Sequence, residues 1–353
     1  MKKKYVLFLL AIFMLCGCFN KTNNSRTFIL MGTTVNIKVK DNTNVLNIIN
    51  SSIDAMKQVT NVFNRYDPNS EVSQINKDKE KVSVYISEEF KNMLELSFWL
   101  NKRSLGAFDI TVGPLEELWG FYDDRPKFLP TTEQIRTAIK KCSMDNLKIK
   151  GNDLIFQDPE MELDFNALAK GYAVDAAVKV LKDNGIKRAI VDAGGDVYCI
   201  GDNNGQGWHV GVRDPEKKDN IVGFFTISNK AAATSGGYEK FITIKDKEYP
   251  HIIDPRTGYP ADSNVVSSTV LSSKCTIADA LATAFFVLHP EQSLNIVESD
   301  PDLETIVITK ENGSFKYYVS SGLKDNFKLI GVRDQRPETR RQKVKRKFVG
   351  RIS

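Results

Sequence analysis

Asp279 and Thr283 stand four residues apart in Cys275-Thr-Ile-Ala-Asp-Ala-Leu-Ala-Thr-Ala-Phe-Phe-Val-Leu288, a stretch whose other residues are mostly apolar. Positions i and i+4 share one helix face, so the carboxylate and the hydroxyl would project together from a segment built for burial. A carboxylate in such a place is costly unless a cation or a dense set of hydrogen bonds meets it. A hard metal would supply that partner. Aspartate, hydroxyl and main-chain carbonyl make an all-oxygen set, which suits Mg²⁺ or Ca²⁺ and leaves positions for phosphate oxygens. The alternative is that Asp279 caps the helix N-terminus in water while Thr283 packs by its methyl. Spacing alone leaves both open.

Three further positions have chemical potential. His251, one of three histidines, opens the loop His251-Ile-Ile-Asp-Pro-Arg-Thr-Gly258, where it could act as a general base near neutral pH or as a structural hydrogen-bond donor. Lys170 precedes Gly171 at the start of a helix, where backbone N–H groups favour anions, although a solvated surface lysine has the same local sequence. Asp164 and Asn166 are as readily caps as ligands. The segment Val191-Asp-Ala-Gly-Gly-Asp196 lacks the G-x-G-x-x-G spacing of a dinucleotide loop.

The elements that must position these groups follow from periodicity. Thr27 to Val39 alternates around Met31-Gly-Thr33 and reads as a strand with a close backbone approach at the glycine. Helices are expected over Val45–Phe63, Ser87–Arg103, Thr131–Lys141 and Thr276–Leu288, and another runs from a short strand at Glu162 to a cap at Asn184-Gly185. Asn64 to Ser70 is a turn cluster that holds an exposed Tyr66. Strands are expected at Ala189–Ala193, Trp208–Arg213, Gly223–Ser228, Phe241–Ile244, Val265–Leu271, Ile306–Thr309 and Phe315–Val319, the last two joined at Asn312-Gly313. Ala231 to Tyr238 reads as a small-residue turn. Antiparallel pairs among long helices predict an α+β fold, with mixed and antiparallel sheets layered with helices.

The ends differ in character from the body. Met1-Lys-Lys-Lys and the apolar run Tyr5–Leu15 form an export signal too short to span a bilayer. With the three N-terminal lysines and the net +7 of residues 333–353 set aside, the formal +5 of the whole chain becomes −5 for residues 19–332. The high isoelectric point therefore belongs to the ends, and a nucleic-acid partner is not indicated. Residues 333–353 read as a disordered basic tail. Cys142, Cys199 and Cys275 have no C-x-x-C spacing, so neither a zinc site nor a disulfide framework is indicated.

Several motifs in order carry a resemblance. They are Met31-Gly-Thr, Gly106-Ala-Phe-Asp-Ile-Thr-Val-Gly-Pro-Leu with Leu118-Trp-Gly-Phe121, Ala169-Lys-Gly-Tyr-Ala-Val-Asp175, Gly194-Gly-Asp196, Thr234-Ser-Gly236, His251-Ile-Ile-Asp-Pro-Arg-Thr-Gly-Tyr-Pro260 and Asp279-Ala-Leu-Ala-Thr283. From about Thr27 to Leu329 the chain resembles the ApbE family of FAD:protein FMN transferases. The resemblance implies a two-lobed body over residues 27–332 with a central flavin cleft, and Mg²⁺-dependent transfer of FMN from FAD to a Ser or Thr hydroxyl of target redox proteins, with release of AMP. It implies metal ligation by Asp279, Thr283 and the main-chain carbonyl of Ala167, and flavin contacts from Met31, Tyr66, Ala107, Phe108, Asp109, Asp164, Lys170 and Ile253. His251 is the candidate base, with Asp254 orienting its ring. Some relatives carry an acid where this chain has Ala282, which leaves the number of ions open.

Leu15-Cys16-Gly17-Cys18 resembles a lipobox, so residues 1–17 would be a lipoprotein signal peptide, Cys18 the lipidated residue and residues 18–26 a tether to the membrane. The protein would then lie outside the cytoplasm. An FAD pyrophosphatase that uses water as acceptor, and a flavin-binding lipoprotein without turnover, are the rival readings.

Overall fold

The computed structural model describes residues 24–41, 45–78, 80–122, 128–217 and 219–330. The signal segment 1–17, Cys18 with most of the tether, and the tail 333–353 lie outside the described residues.

An eight-stranded sheet forms the spine. Its spatial order is Ser25–Leu30, Thr33–Val39, Ala189–Ala193, Asp196–Ile200, Lys230–Gly236, Val265–Ser272, Glu304–Glu311 and Ser314–Val319. Every pairing in it is antiparallel. Because side chains alternate along a strand, each strand feeds two layers. Tyr198, Ile200, Ala231, Ala233, Val270 and Val307 enter the larger core with the helices Leu46–Phe63, Asn166–Asp183 and Cys275–Val287. Val197, Cys199, Ala232, Leu271, Ile306 and Ile308 enter a second cluster with Trp208, Val212, Phe225 and Ile227 of a three-stranded sheet. A smaller cluster of Leu115, Trp119, Ile135, Ile242, Ile244 and Ile253 stands apart from both. The α+β expectation is met.

Helix boundaries follow the chemistry of the ends. Ser87 caps Glu88–Arg103 by accepting from the Phe90 N–H, and Thr131 forms a capping box with Gln134 ahead of Thr132–Lys140. Each such cap is worth about 1 kcal/mol. Gly185, at φ +76°, ends Asn166–Asp183 as expected.

Three expectations change. The first strand is a hairpin, in which Met31 (φ +51°) and Gly32 (φ +71°) form the turn between Ser25–Leu30 and Thr33–Val39. Apart from its chain neighbours, no heavy atom of the described residues lies within 4 Å of where a Gly32 side chain would begin, so this glycine supplies turn conformation and not close approach. The small-residue stretch after Lys230 is a central strand and not a turn. Ala231, Ala232 and Ala233 are buried on both faces, and their small side chains admit a helix against the strand. Glu162 to Phe165 forms no ladder, and its Asp164 N–H donates to the Ile110 carbonyl.

Candidate active site

The helices Asn166–Asp183 and Cys275–Val287 pack at backbone contact. A Cβ on Gly171 would lie 2.4 Å from the Cys275 carbonyl oxygen and 2.9 Å from the Asp279 Cβ, so only glycine fits. The Gly171 N–H donates to Asp279 Oδ2 at 2.9 Å. Asp279 is therefore 4% exposed and does not cap its own helix in water. Burial first, and then the charge of neighbouring Asp196, push its carboxyl well above the usual carboxylate range. Lys170 pairs with Asp196 Oδ2 and stands 3.9 Å from Asp279 Oδ1. Burial by itself lowers the Lys170 ammonium, but Asp196 and Asp279 overcome this and hold it above its ordinary value. Asp196 is buried, and its Oδ1 meets no hydrogen-bond donor among the described residues. Two acids thus compete for one ammonium.

These groups border a cleft of about 770 Å³, including the part open to solvent. Ala107, Phe108, Asp109, Ala167, Lys170, His251, Ile253, Asp279 and Thr283 all line it, as do Glu116, Tyr122, Ser235 and Glu239. Thr283 Oγ1 lies 3.2 Å from Ser235 Oγ. Asp279, Thr283 and Ala167 thus border one cleft, and a carboxylate, a hydroxyl and a main-chain carbonyl are oxygen donors that would suit a hard cation. Among the described residues no group of three or more His, Cys, Asp or Glu is arranged for a metal. Asp109 is held by the Thr111 N–H and hydroxyl at 2.7 and 2.6 Å, while burial raises its carboxyl.

His251 follows the hairpin Phe241–Ile244 and Lys247–Pro250. Its N–H donates to the Lys240 carbonyl, and its Nδ1 lies 3.0 Å from the same oxygen. A carbonyl oxygen can only accept, so Nδ1 carries the proton and Nε2 keeps its lone pair in the neutral ring. Burial lowers the ring below its ordinary value, with help from the Lys240 and Lys170 charges. The orienting role expected of Asp254 belongs to the Lys240 carbonyl. Asp254 directs both oxygens to Arg256, at 2.8 and 2.9 Å, because the tight loop brings that guanidinium two residues away.

Asp164, Tyr66 and Met31 stand outside the cleft lining. Asp164 accepts from Arg65 Nη1 at 3.0 Å and from the Asn166 N–H two residues on, where the next helix begins. Arg65 also binds Glu116 at 2.9 Å and Glu162 at 3.2 Å. Burial first, then the charge of Asp164, raise Glu116 well above the usual range. Tyr66 is 53% exposed; its hydroxyl accepts from Asn166 Nδ2, and its ring lies 5.5 Å from that of Tyr122 at the rim. Met31 occupies a turn at the sheet end where Asp196 begins, as the register Val35↔Ala193↔Asp196 requires.

A model of the ApbE family matches residues 31–307. This chain belongs to the ApbE family. Two relatives named FAD:protein FMN transferase illustrate the likeness. That of Vibrio cholerae serotype O1 is 31% identical over 91% of this chain and 98% of its own length. That of Escherichia coli K12 is 32% identical over 78% and 80%. The solved ApbE protein of Thermotoga maritima superposes with a TM-score of 0.78 at 31% identity, covering 86% of this chain and 98% of that one. The Vibrio cholerae flavin transferase ApbE gives 0.75 at 31%.

In this ApbE family member, sequence reasoning missed Arg65, Glu116, Tyr122, Asp196, Ser235 and Glu239. Tyr122, Asp196 and Ser235 lie within or beside quoted motifs, so a signal existed. Glu116 also lies between two quoted motifs, but nothing local marks Arg65, and their meeting depends on a contact across 51 residues.

Proposed function

We propose that this enzyme transfers the FMN half of FAD to a serine or threonine hydroxyl of a target protein, forming a phosphoester and releasing AMP, with Mg²⁺ held by Asp279, Thr283 and the Ala167 carbonyl. The coarse activity, FMN transfer from FAD to protein, is the one its relatives carry by name over most of this chain. The observation that carries the finer reading is one cleft lined by an oxygen-only cation set, an ammonium and a histidine with a free Nε2. The donor set fits a hard ion, because a cation beside Asp279 would offset the burial and the Asp196 charge that raise its carboxyl and that Lys170 does not cancel. When bound, Mg²⁺ would neutralise pyrophosphate oxygens and ease the departure of AMP.

The chain's own residues do the rest. Positioning and charge stabilisation dominate phosphoryl transfer. Lys170 offers a second positive centre to the phosphates. The incoming hydroxyl oxygen bonds to the FMN phosphorus as the bridging P–O bond to AMP breaks, and the hydroxyl proton passes to His251 Nε2. A free hydroxyl is a weak nucleophile, so this base and its fixed tautomer matter. The Tyr66 and Tyr122 rings supply a stacking surface at the rim that also limits water. The lipobox at Cys18 supports a membrane-anchored protein outside the cytoplasm that acts on exported redox subunits. No described helix is long and apolar enough to cross a membrane.

Purified protein incubated with FAD and Mg²⁺, with and without a target carrying the acceptor pattern Asp-x-x-Ser/Thr-Gly-Ala-Ser/Thr that the family resemblance implies, tests the proposal. Covalent flavin on the target supports transfer. AMP formed without target indicates a pyrophosphatase, and unchanged FAD indicates a binding protein.

A further inference from the structure

We propose that Asp175 is a positioning residue that fixes the register of the two helices and so brings the Ala167 carbonyl to Asp279 and Thr283. The inference rests on the metal reading above. Ala167, Gly171 and Asp175 recur every four residues on one helix, and Cys275, Asp279 and Thr283 do so on the other. Each triplet therefore lies along one face. The two faces meet in an antiparallel ladder. Asp175 meets the start of Cys275–Val287, Gly171 touches Cys275 and Asp279, and Ala167 shares the cleft with Asp279 and Thr283.

Asp175 clamps the far end of this ladder. Its Oδ1 accepts from the Cys275 N–H at 2.8 Å, and its Oδ2 accepts from the Thr276 N–H at 2.9 Å and the Thr276 hydroxyl at 2.6 Å. Lys274, which holds the N-cap position with φ −121° and ψ 130°, provides no side-chain cap. The helix that carries the acid and hydroxyl thus takes its cap from the helix that carries the carbonyl. A cap of this kind does two things at once. It satisfies orphan N–H groups, as any cap does, and it sets how far one helix slides along the other. Two turns separate Asp175 from Ala167, about 12 Å of rise, with Gly171 as the contact between.

The two roles can be separated. Asp175→Ala removes cap and clamp together, whereas adding Lys274→Ser returns a cap to the helix from within, where the extended N-cap backbone accepts one. Titration of the purified proteins with MgCl₂ alone, followed by calorimetry, reads the metal site without turnover, and thermal melting reads the fold. The expected result is roughly ten- to a hundred-fold weaker Mg²⁺ binding in Asp175→Ala, the usual range for residues that support ligands. In the double variant the melting temperature should recover while the affinity stays low. Recovery of both, or unchanged affinity in Asp175→Ala, would make Asp175 a cap and nothing more. Should Asp175→Ala fail to fold, Asp175→Asn keeps one acceptor oxygen and should bind Mg²⁺ with intermediate affinity; wild-type affinity there overturns the idea. Wild-type protein that binds no Mg²⁺, like Asp279→Ala, would instead remove the metal reading itself.

Discussion

On one side of the cleft Asp279, Thr283 and Ala167 ride on two helices joined at Gly171 with no space for a methyl group. On another side His251 hangs from a loop, held by its own backbone and one carbonyl oxygen. The helical side fixes its groups through many backbone contacts over several turns, so its geometry tolerates little adjustment. The loop side fixes a tautomer and a direction through a single acceptor. Binding of a cation needs the first kind of precision, and proton transfer to an arriving protein substrate is compatible with the second.

Four substitutions probe that contrast. Asp279→Ala should abolish Mg²⁺-dependent turnover and leave the melting temperature close to wild type, because it also relieves the crowding with Asp196; full activity would remove the helical side from the chemistry. His251→Ala should slow transfer by roughly 10²-fold or more. The folded ring titrates below its ordinary 6.5, so kcat/KM should fall only as pH drops through that lower value and protonates Nε2. This acid limb should vanish in His251→Ala, and a limb that persists would assign it to another group. Arg65→Ala should cost about 3–5 kcal/mol of stability, since Glu116, Glu162 and Asp164 would keep their crowding without the shared cation. Denaturant melts would measure this loss, and a change below 1 kcal/mol would show that the cluster relaxes. Asp254→Asn should be the mildest, costing about 1 kcal/mol or less with kcat nearly unchanged, because its partner Arg256 is solvent-facing. A large fall in kcat would return Asp254 to the base.

Much of the helical side could be read from local pattern. The four-residue spacing of Asp279 and Thr283, the apolar run around them and the cap at Asn184-Gly185 are all short-range, and the structure places them as read. The misreadings share a cause. Ala231 to Tyr238 reads as a turn because small residues usually mark one, yet in the strand Lys230–Gly236 small size serves close packing against a helix, which is a tertiary demand. Asp254 precedes His251's loop arginine by two residues, and that short contact outcompeted the ring. Arg65 gathers three acids from two distant segments and left no trace in its own neighbourhood.

By itself the chain's order of residues determined five of the helices, most strands, the oxygen-only chemistry of Asp279 and Thr283, and the family. Those depend on periodicity, capping and side-chain chemistry, which act over a few residues. Only the tertiary structure decided that Asp279 is buried against Gly171, that Lys170 is shared by two acids, and which carbonyl holds the His251 ring. Each of these is a contact between residues at least eleven positions apart, and burial and charge pairing at that range arise from how elements pack and not from what any one of them contains.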